Sequence, residues 1–401
     1  MRVIVIGGGI IGAATARSLS RRGIDVTVLE RGRNVGGTSS GGEGNLLLSD
    51  KGPGDELRLT QYSSTLWPVV DAELRDELGP AFPSVEFERK GGVVVATTAQ
   101  GAQPLHDFAA LQRTAGVDAR PVSRDDALLL EPHLNPAITA AIHYPEDAQV
   151  QPVIMTEALI ASAKLSGAQF FENEAVLAGI RSPGGELVGV RTTRGTHHAD
   201  AVVVAAGPWS GDVSEALGLS LPVKPRRGMV LVTSRMPHRI FHKVYDGDYV
   251  GVVGSSNAAL QTSSVIETTA AGTVLIGSSR QQIGFDTRLT VAVLRELAQK
   301  ALRLFPFLSE MMVMRSYGGF RPFMPDHLPV IGPDPRLPGL WHATGHEGAG
   351  IGLSVATGAM LADLLAGAPP ALDAAPFSPA RASLAPFLAP FLTPFPDSRA
   401  A

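Results

Sequence analysis

Three glycines near the N-terminus, spaced as Gly7-x-Gly9-x-x-Gly12, constrain the fold of this chain more than any other feature of its sequence. They are preceded by a short apolar run at residues 2–6, rich in β-branched side chains, which predicts a buried parallel strand. They are followed by residues 10–22, where small side chains and late arginines predict a helix. A glycine turn between a strand and a helix is typical of a site for a dinucleotide cofactor.

Each glycine of the turn has a separate physical task. Gly7 allows a tight turn, Gly9 lets a pyrophosphate approach the backbone, and Gly12 lets the helix and the strand pack closely. The free N–H groups and the positive dipole end of the helix then face the phosphates. A second strand is predicted over residues 25–29, and Glu30 at its end can accept hydrogen bonds from a ribose hydroxyl. The first 30 residues therefore predict a complete βαβ unit.

A glycine- and serine-rich segment, residues 36–45, distinguishes FAD from NAD as the expected cofactor. A nicotinamide dehydrogenase does not need such a segment, whereas an extended isoalloxazine ring requires the backbone to run close along it. We expect contacts with FAD from Arg31, just before the segment, and from Gly37, Thr38 and Ser39 within it. A flexible surface loop is the alternative interpretation.

Two later segments favour FAD further. Residues 201–207 form an apolar run that predicts a buried strand ending in small residues, where the backbone passes near a ligand. Residues 342–352 contain several glycines and open a predicted helix, whose N-terminal amides can stabilise negative charge on the reduced flavin. The candidate cofactor-binding residues are Gly7, Gly9, Ile10, Ile11, Gly12, Glu30, Arg31, Gly37, Thr38, Ser39, Val176, Ala206, Gly207, Trp209, Gly348, Gly350 and Ile351.

The α/β signals are separated along the chain. We predict an α/β fold (α+β overall), with a Rossmann-like FAD-binding domain and an antiparallel-sheet substrate domain inserted into it twice. The FAD-binding domain is expected at residues 1–45, 150–215 and 325–365, the substrate domain at 46–149 and 216–324, and a Pro/Ala-rich tail at 366–401.

Two proline-containing segments carry more specific expectations. In the helix expected over residues 55–79, Pro68 predicts a kink or a break. The composition of the tail predicts disorder. The alternative is that its phenylalanines dock on the body of the protein or on a partner.

The composition is that of an ordinary soluble protein and excludes several function classes. A net charge of −4 and scattered basic residues provide no field for nucleic acid. The absence of cysteine excludes disulfides, thiolate catalysis and a cysteinyl–flavin bond, and fits a cytoplasmic location. His197-His198 lacks metal-ligand spacing, so no metal site is expected. Glycines oppose a signal peptide at the N-terminus, and no stretch has the ~18 uninterrupted apolar residues of a membrane span.

The chain resembles the D-amino-acid oxidase-like superfamily of FAD-dependent amine oxidoreductases over essentially residues 1–365. The motifs that carry the resemblance are highly specific for the superfamily and weak for the substrate. Residues 43–54 are similar in particular to the flavin subunits of hydroxyproline and opine dehydrogenases. The motifs read VIVIGGGIIGAATA (3–16), VVVAAGPWS (202–210), YGGFRPFMPDHLPVIGP (317–333) and HATGHEGAGIGLSVATG (342–358).

The resemblance implies three catalytic candidates. Arg321 matches the family arginine that binds the substrate carboxylate, and a guanidinium can engage a carboxylate with two hydrogen bonds. The alternative is a structural pair with an acid such as Asp326. His346 is expected to touch the flavin or line the site, or else to cap the following helix. Tyr249 and its neighbour Tyr245 lie in a region that contacts substrate in relatives, with core packing as the alternative.

The resemblance also implies the reaction, in which hydride passes from the substrate α-carbon to flavin N5 and the imine hydrolyses. The substrate is a small amino acid, either a D-amino acid or a secondary one such as proline, hydroxyproline or sarcosine. The flavin is expected to be non-covalent, because residues 36–45 contain no histidine and the chain no cysteine. Some relatives place a lysine over the flavin to assist oxygen, and its absence from residues 274–285 favours a dehydrogenase over a glycine- or sarcosine-type oxidase.

Two other functions compete with this interpretation. A nicotinamide-dependent dehydrogenase is opposed by the glycine loop at residues 345–352. A flavin subunit of a hetero-oligomeric opine or hydroxyproline dehydrogenase, acting partly as an electron relay, is opposed by the intact arginine motif. The expected partners are the amino acid substrate and an electron acceptor or partner subunits, with no nucleic acid.

Overall fold

The structure, a computed structural model, describes residues 1–247 and 255–388. Tyr249, one of the catalytic candidates, lies outside the described residues.

The helices are α1 (Ile10–Ser20), α2 (Asp55–Leu78), α3 (Ala99–Thr114), α4 (Arg124–Leu130), α5 (Pro152–Leu165), α6 (Ser210–Ala216), α7 (Val291–Leu304) and α8 (Gly350–Leu365). The strands are β1 (Arg2–Ile6), β2 (Asp25–Leu29), β3 (Asn45–Leu46), β4 (Gly92–Ala96), β5 (Arg120–Val122), β6 (Ala140–Tyr144), β7 (Ala148–Gln149), β8 (Gln169–Phe171), β9 (Val176–Arg181), β10 (Leu187–Thr192), β11 (Thr196–His198), β12 (Ala201–Val204), β13 (Lys224–Thr233), β14 (Lys243–Asp246), β15 (Gln261–Thr268), β16 (Val274–Arg280), β17 (Val313–Phe323), β18 (Val330–Pro333) and β19 (Leu340–Thr344).

A six-stranded sheet in the order β18-β19-β12-β1-β2-β8 contains the N-terminal strand at its centre. Every neighbouring pair is parallel except β18 with β19. The apolar side chains of β1 and β12 are buried, as their uninterrupted apolar runs predict. Because the carboxyl ends of parallel strands meet at one edge of a sheet, the loops that follow β1, β2 and β12 lie together there.

The helix that follows the glycine turn packs against two others on one face of this sheet. Small residues make close packing possible, since a Cβ added at Gly358 of α8 would lie 2.6 Å from the carbonyl oxygen of Ala14 in α1. Helix α1 also contacts α5, and the buried side chains of these helices join those of the sheet in one core. The packing therefore fixes the end of α1 that faces the loops of the sheet.

A second, eight-stranded sheet has the order β17-β13-β16-β15-β14-β4-β6-β5. Its neighbours are antiparallel except for β4 with β14. Helix α7 covers one face, where Val293, Leu297 and Ala301 join the core of the sheet. The longest pairing, between β13 and β17, aligns Arg226 with Arg321 and so fixes the position of the arginine motif.

Helix α2 runs from Asp55 to Leu78 with Pro68 inside it, so of the two outcomes expected at Pro68 the break does not occur. A proline removes the backbone donor that would bond to the carbonyl four residues earlier, here that of Ser64. The Nη2 atom of Arg89 donates a hydrogen bond to that carbonyl oxygen at 3.3 Å. The side chain of Arg89 thus replaces the missing backbone donor.

The described part of the tail, residues 366–388, packs on the body of the protein, and the expectation of disorder is wrong for it. Phe377 is buried in the core of the six-stranded sheet. Arg381 forms a two-bond ion pair with Asp326, at 2.7 and 2.9 Å, and donates to the carbonyl oxygen of Pro329. The acid considered as a partner for Arg321 therefore binds the tail instead.

Within the described residues, one helical stretch, Glu347–Leu365, has the length and composition of a membrane span. It includes α8, and 61% of its most apolar window is buried inside the protein. Its apolar side chains face α1 and the sheet, so burial in the core accounts for its composition.

Candidate active site

A cavity of about 610 Å³ is lined by loops of the six-stranded sheet and by strands of the eight-stranded sheet. It brings together every cofactor candidate except Gly12, and it also includes two of the three catalytic candidates, Arg321 and His346. The predicted residues that line it are Gly7, Gly9, Ile10, Ile11, Glu30, Arg31, Gly37, Thr38, Ser39, Val176, Ala206, Gly207, Trp209, Arg321, His346, Gly348, Gly350 and Ile351.

The turn after β1 can be made only with glycine. Gly7 has a φ of +119°, and a Cβ added there would lie 2.5 Å from the carbonyl oxygen of Ala205. A Cβ at Gly12 would lie 1.9 Å from the carbonyl oxygen of Gly7, so helix and turn are in direct backbone contact. Gly12 therefore contacts the turn behind the cavity surface and does not line the cavity itself.

The first turn of α1 presents backbone amides to the cavity. The Ser39 hydroxyl oxygen accepts a hydrogen bond from the amide of Ile10 at 2.9 Å. A Cβ at Gly9 would lie 3.2 Å from the same oxygen, so any larger residue there would fill the space between helix and loop. A helix N-terminus with an open backbone approach is chemically suited to a pyrophosphate.

The carboxylate of Glu30 is held in place by backbone donors. Its two oxygens accept hydrogen bonds from the amides of Gly8 and Gly32, both at 2.8 Å. A carboxylate has about four lone-pair sites, so each oxygen keeps acceptor capacity for a second donor such as a ribose hydroxyl. Glu30 lines the cavity at the end of β2, where the sugar of a dinucleotide is bound in this fold.

Trp209 forms one wall of the cavity as the middle layer of a stack. The Arg31 guanidinium carbon lies 4.2 Å from the centre of the indole ring, and Phe285 is stacked at 5.1 Å with an interplanar angle of 3°. Gly37 packs closely, because a Cβ there would be 3.2 Å from the indole. The stack presents a rigid flat surface beside the glycine-rich loop.

Arg321 reaches the cavity from β17. Its Nη1 atom donates a hydrogen bond to the carbonyl oxygen of Ser279 at 2.9 Å. A Cβ at Gly228 would lie 2.2 Å from Nη1, and one at Gly348 would lie 3.5 Å from Nε. Glycines on two sides therefore make room for the guanidinium, and the bond to β16 orients it.

His346 and Tyr245 are both buried, with different surroundings. Nε2 of His346 lies 2.9 Å from the hydroxyl of Thr357 in α8, and its side chain does not cap the following helix. Burial lowers the pKa of His346 to about 3, so its ring is neutral at neutral pH. Tyr245 packs in the core of the eight-stranded sheet and donates to the Ser49 hydroxyl, as its core-packing alternative predicted.

Glu43 also lines the cavity, although the sequence patterns do not single it out as a site residue. The side chain is buried, and within the described residues its Oε1 atom has no hydrogen-bond partner. A Cβ at Gly277 would lie 2.2 Å from that oxygen. Burial raises the pKa of Glu43, and the cations of Lys243, Arg321 and Arg280 oppose the increase. An acid inside a glycine-rich cofactor segment is the signal that could have found it.

Lys243 lies behind Glu43, fully buried at the start of β14. It pairs with the equally buried Glu267. Burial lowers the pKa of Lys243 to about 7, and the nearby Lys90 adds to the decrease while Glu43 opposes it. A buried lysine thus interacts with a cavity residue, Glu43, although residues 274–285 contain no lysine.

A second acid of the cavity wall, Glu347, contacts a histidine and an arginine. Oε1 lies 2.9 Å from Nδ1 of His327, and Oε2 lies 3.5 Å from Nη1 of the buried Arg226. The hydrogen bond to Glu347 raises the pKa of His327. These contacts fix the loop that leads into α8.

No group of three or more metal-ligating side chains occurs in residues 1–247 and 255–388. His197 instead lies 2.7 Å from Glu174 through its Nε2 atom.

The cavity fits an extended flavin dinucleotide. Its glycine turn and helix N-terminus suit the pyrophosphate, the Glu30 carboxylate suits a ribose, and the loop of residues 36–45 runs past Trp209 towards Arg321. The loop is pinned to β17 by a hydrogen bond from the Thr38 hydroxyl to the Phe320 carbonyl oxygen at 2.5 Å.

Comparison with known proteins also indicates a flavin dinucleotide as the cofactor. Residues 2–364 match the family described as FAD dependent oxidoreductase. A glycine oxidase of Geobacillus kaustophilus is 34% identical over 385 residues, covering 94% of this chain and 96% of that protein. Hydrogen cyanide synthase subunit HcnC of Pseudomonas aeruginosa is 29% identical over 418 residues, covering 94% and 95% of the two chains.

A solved structure agrees with the fold. The crystal structure of glycine oxidase from Geobacillus kaustophilus matches with a TM-score of 0.85 at 30% identity, covering 94% of this chain and 98% of that chain. The predicted α/β flavoenzyme fold and the predicted FAD cofactor are confirmed, and the nicotinamide-dependent alternative is excluded. The chain belongs to the family of FAD-dependent oxidoreductases.

Proposed function

We propose that this oxidoreductase removes hydride from the carbon next to nitrogen in a small amino acid. The observation that carries the proposal is the half-buried guanidinium of Arg321 in the wall of the cavity that suits the flavin. A cation held by a backbone carbonyl on one strand and given space by glycines on others is suited to a carboxylate ligand.

The residues of the site act mainly by orientation. Arg321 binds the substrate carboxylate, which fixes the α-carbon relative to the loop of residues 36–45. FAD supplies the hydride acceptor at its N5 position. The substrate amine must be deprotonated before its neighbouring C–H bond is broken, and the resulting imine hydrolyses in water. Positioning of this kind accounts for large rate increases without an elaborate acid–base system.

The substrate class we favour is glycine or an N-alkyl glycine. It is supported by the similarity to glycine oxidase over 94% of this chain. The D-amino acids and the cyclic secondary amino acids expected from the sequence are the comparison substrates. We propose that the lining residues predicted from the sequence bind FAD, and that His346 acts as a neutral support for the loop before α8.

Dioxygen is the electron acceptor we propose. The dehydrogenase preference rested on the absence of lysine from residues 274–285. Lys243 is a buried lysine outside that range whose charge interacts with that of Glu43, and relatives named as oxidases support the alternative. Partner subunits are a second candidate, favoured by the similarity to a protein named as a hydrogen cyanide synthase subunit.

We further propose that the chain is divided into the two domains expected from the sequence. The FAD-binding domain comprises residues 1–45, 150–215 and 325–365, and the substrate domain 46–149 and 216–324. The six-stranded sheet draws all its strands from the first set, and the eight-stranded sheet draws all of its from the second, which supports the division. The cytoplasmic location inferred from the sequence is likewise a proposal, and cell fractionation tests it.

Anaerobic bleaching of the flavin absorbance tests the function. Purified holoenzyme is mixed with glycine, sarcosine, proline, hydroxyproline and pairs of D- and L-amino acids, and air is then admitted. We expect glycine or sarcosine to bleach the flavin and air to restore it with formation of hydrogen peroxide. Bleaching by none of the amino acids would contradict the proposed reaction. Bleaching that air does not reverse would contradict the oxidase assignment alone.

A further inference from the structure

We propose that Glu43 binds the amine of the substrate and accepts its proton before hydride transfer. The inference rests on the proposed function and deepens it, because it names the side chain that binds the amine of the amino acid substrate. Arg321 holds the carboxylate, and Glu43 selects for nitrogen on the adjacent carbon.

The two side chains come from segments that are in backbone contact. A Cβ at Gly41 would lie 3.0 Å from the Cα of Gly319, two residues before Arg321. The Tyr317 hydroxyl donates to the carbonyl oxygen of Gly42 at 3.3 Å. The loop that bears Glu43 therefore runs along the strand that bears the arginine, and both side chains line one cavity.

A third strand brings the two groups close together. Glu43 Oε1 lies against Gly277 on β16, whereas Arg321 Nη1 bonds to the carbonyl oxygen of Ser279 on the same strand. The two side chains therefore approach nearby positions of one strand. A ligand that contacts both must be small, as is an amine one carbon away from its carboxylate.

The hydrogen bonding of Glu43 is incomplete. Oε2 accepts a hydrogen bond from the Asn45 amide at 3.5 Å, a long contact, while Oε1 has no hydrogen-bond partner among the described residues. An unsatisfied buried carboxylate oxygen costs free energy unless a donor reaches it. The N–H groups of a bound amine provide that donor, so the binding of an amino acid completes the hydrogen bonds of the site.

The surroundings of Glu43 allow it to hold a proton and to release it. The groups that face it are Lys243 from β14, Arg280 from β16, Arg321 and the Tyr317 hydroxyl from β17, and Asn45 from its own loop. Burial raises the pKa of Glu43, and the cations limit the increase. A carboxyl with a pKa above its ordinary range is a stronger base for an ammonium group.

The proton transfer balances in charge and atoms. The substrate enters with a protonated amine, one N–H bond breaks, and the proton moves to a carboxylate oxygen of Glu43. The nitrogen lone pair left by this transfer assists loss of hydride from the α-carbon, and bound FAD would supply the two-electron acceptor for it. The iminium product is hydrolysed, and the proton on Glu43 returns to water when the product leaves.

Glu43→Gln tests the assignment, because it keeps the shape and removes the charge. In anaerobic stopped-flow reduction by the best amino acid, we expect a loss of about 100-fold at neutral pH, typical of a missing general base. The loss should shrink at alkaline pH, where the free amine is already deprotonated. Glu43→Asp should recover part of the rate. Glu186→Gln, in an exposed hairpin, is the matched control and should be unchanged.

Ligand binding gives a second readout. Acetate has the carboxylate and the carbon skeleton of glycine but no amine, and its Kd is taken from the change in flavin absorbance. The Kd of glycine is taken from the concentration dependence of the rate of anaerobic flavin reduction. We expect wild type to bind acetate at least 10-fold more weakly than glycine, and Glu43→Gln to bind acetate as well as or better than wild type does. Equal affinities for acetate and glycine in wild type would overturn the assignment, whether or not the variants fold.

The outcomes separate this inference from the proposed function. Absence of flavin reduction by every amino acid in wild type contradicts the function itself. Rapid reduction in wild type together with an unchanged rate and pH profile in Glu43→Gln contradicts only the role of Glu43. Flavin absorbance of each variant is measured first, so that loss of cofactor is recognised as a structural effect. If Glu43→Gln has lost its flavin, the decision rests on Glu43→Asp and on the acetate comparison in wild type.

Discussion

Removing the guanidinium of Arg321 should slow flavin reduction by the amino acid while leaving the flavin bound. A carboxylate held by two N–H groups makes two charge-assisted hydrogen bonds, each contributing about 1.5–3 kcal/mol. Since each 1.36 kcal/mol is tenfold in rate, Arg321→Ala should lower kcat/KM by roughly two to four orders of magnitude. Arg321→Lys should recover only part, because the ammonium keeps the charge and lacks the planar fork.

Anaerobic stopped-flow reduction gives the rate, and the flavin-to-protein absorbance ratio reports cofactor content. Arg315→Ala removes the same charge from an exposed position of the same strand, β17, and should be unaffected. An amine without a carboxylate should react poorly with wild type and be little changed by Arg321→Ala. Equal reduction of wild type by such an amine and by the amino acid would refute the role of Arg321.

Three further predictions concern the cofactor and the tail. Gly9→Val should give colourless, FAD-free protein, because even a Cβ there lies 3.2 Å from the Ser39 hydroxyl; stoichiometric flavin in the purified variant would contradict this. Acid precipitation should release all flavin into the supernatant, since the link is expected to be non-covalent; yellow precipitate would reveal a covalent bond. Phe377→Ala should lower the free energy of unfolding by about 3–5 kcal/mol, measured by denaturant titration. The half-exposed Phe387 is its control, and equal effects of Phe387→Ala and Phe377→Ala would show that burial of the tail is not responsible.

The parts of the molecule that could be predicted from sequence depend on local contacts. The glycine turn, the flanking strands and the acid at the end of β2 lie within 30 residues, and each imposes a backbone requirement on its neighbours. The place of Arg321 in the cavity could be predicted because residues 317–322 resemble a motif of the family. For residues of this kind, the neighbouring residues in the sequence supply most of the surroundings that identify them.

The remaining features depend on residues that are distant in sequence. The cationic surroundings of Glu43 form only when β14 and β17 bring Lys243 and Arg321 close to it. The donor that bonds to the Ser64 carbonyl of α2, left without its backbone partner by Pro68, comes from Arg89, which lies outside that helix. The burial of Phe377 likewise follows from tertiary packing, which overrides the composition of the tail. None of these contacts leaves a periodic pattern in the sequence.

The central place of β1 in the six-stranded sheet has a consequence for how the protein is made. One neighbour, β2, follows almost at once, whereas β12 belongs to the middle of the chain, and β19, which completes the parallel set, lies near its end. At about 5–20 residues per second, roughly tens of seconds of synthesis separate β1 from β19. Strand β1 therefore waits, apolar on both faces, for partners that are not yet translated. Until they arrive the sheet cannot bury its side chains, which stay accessible to solvent and to other apolar surfaces.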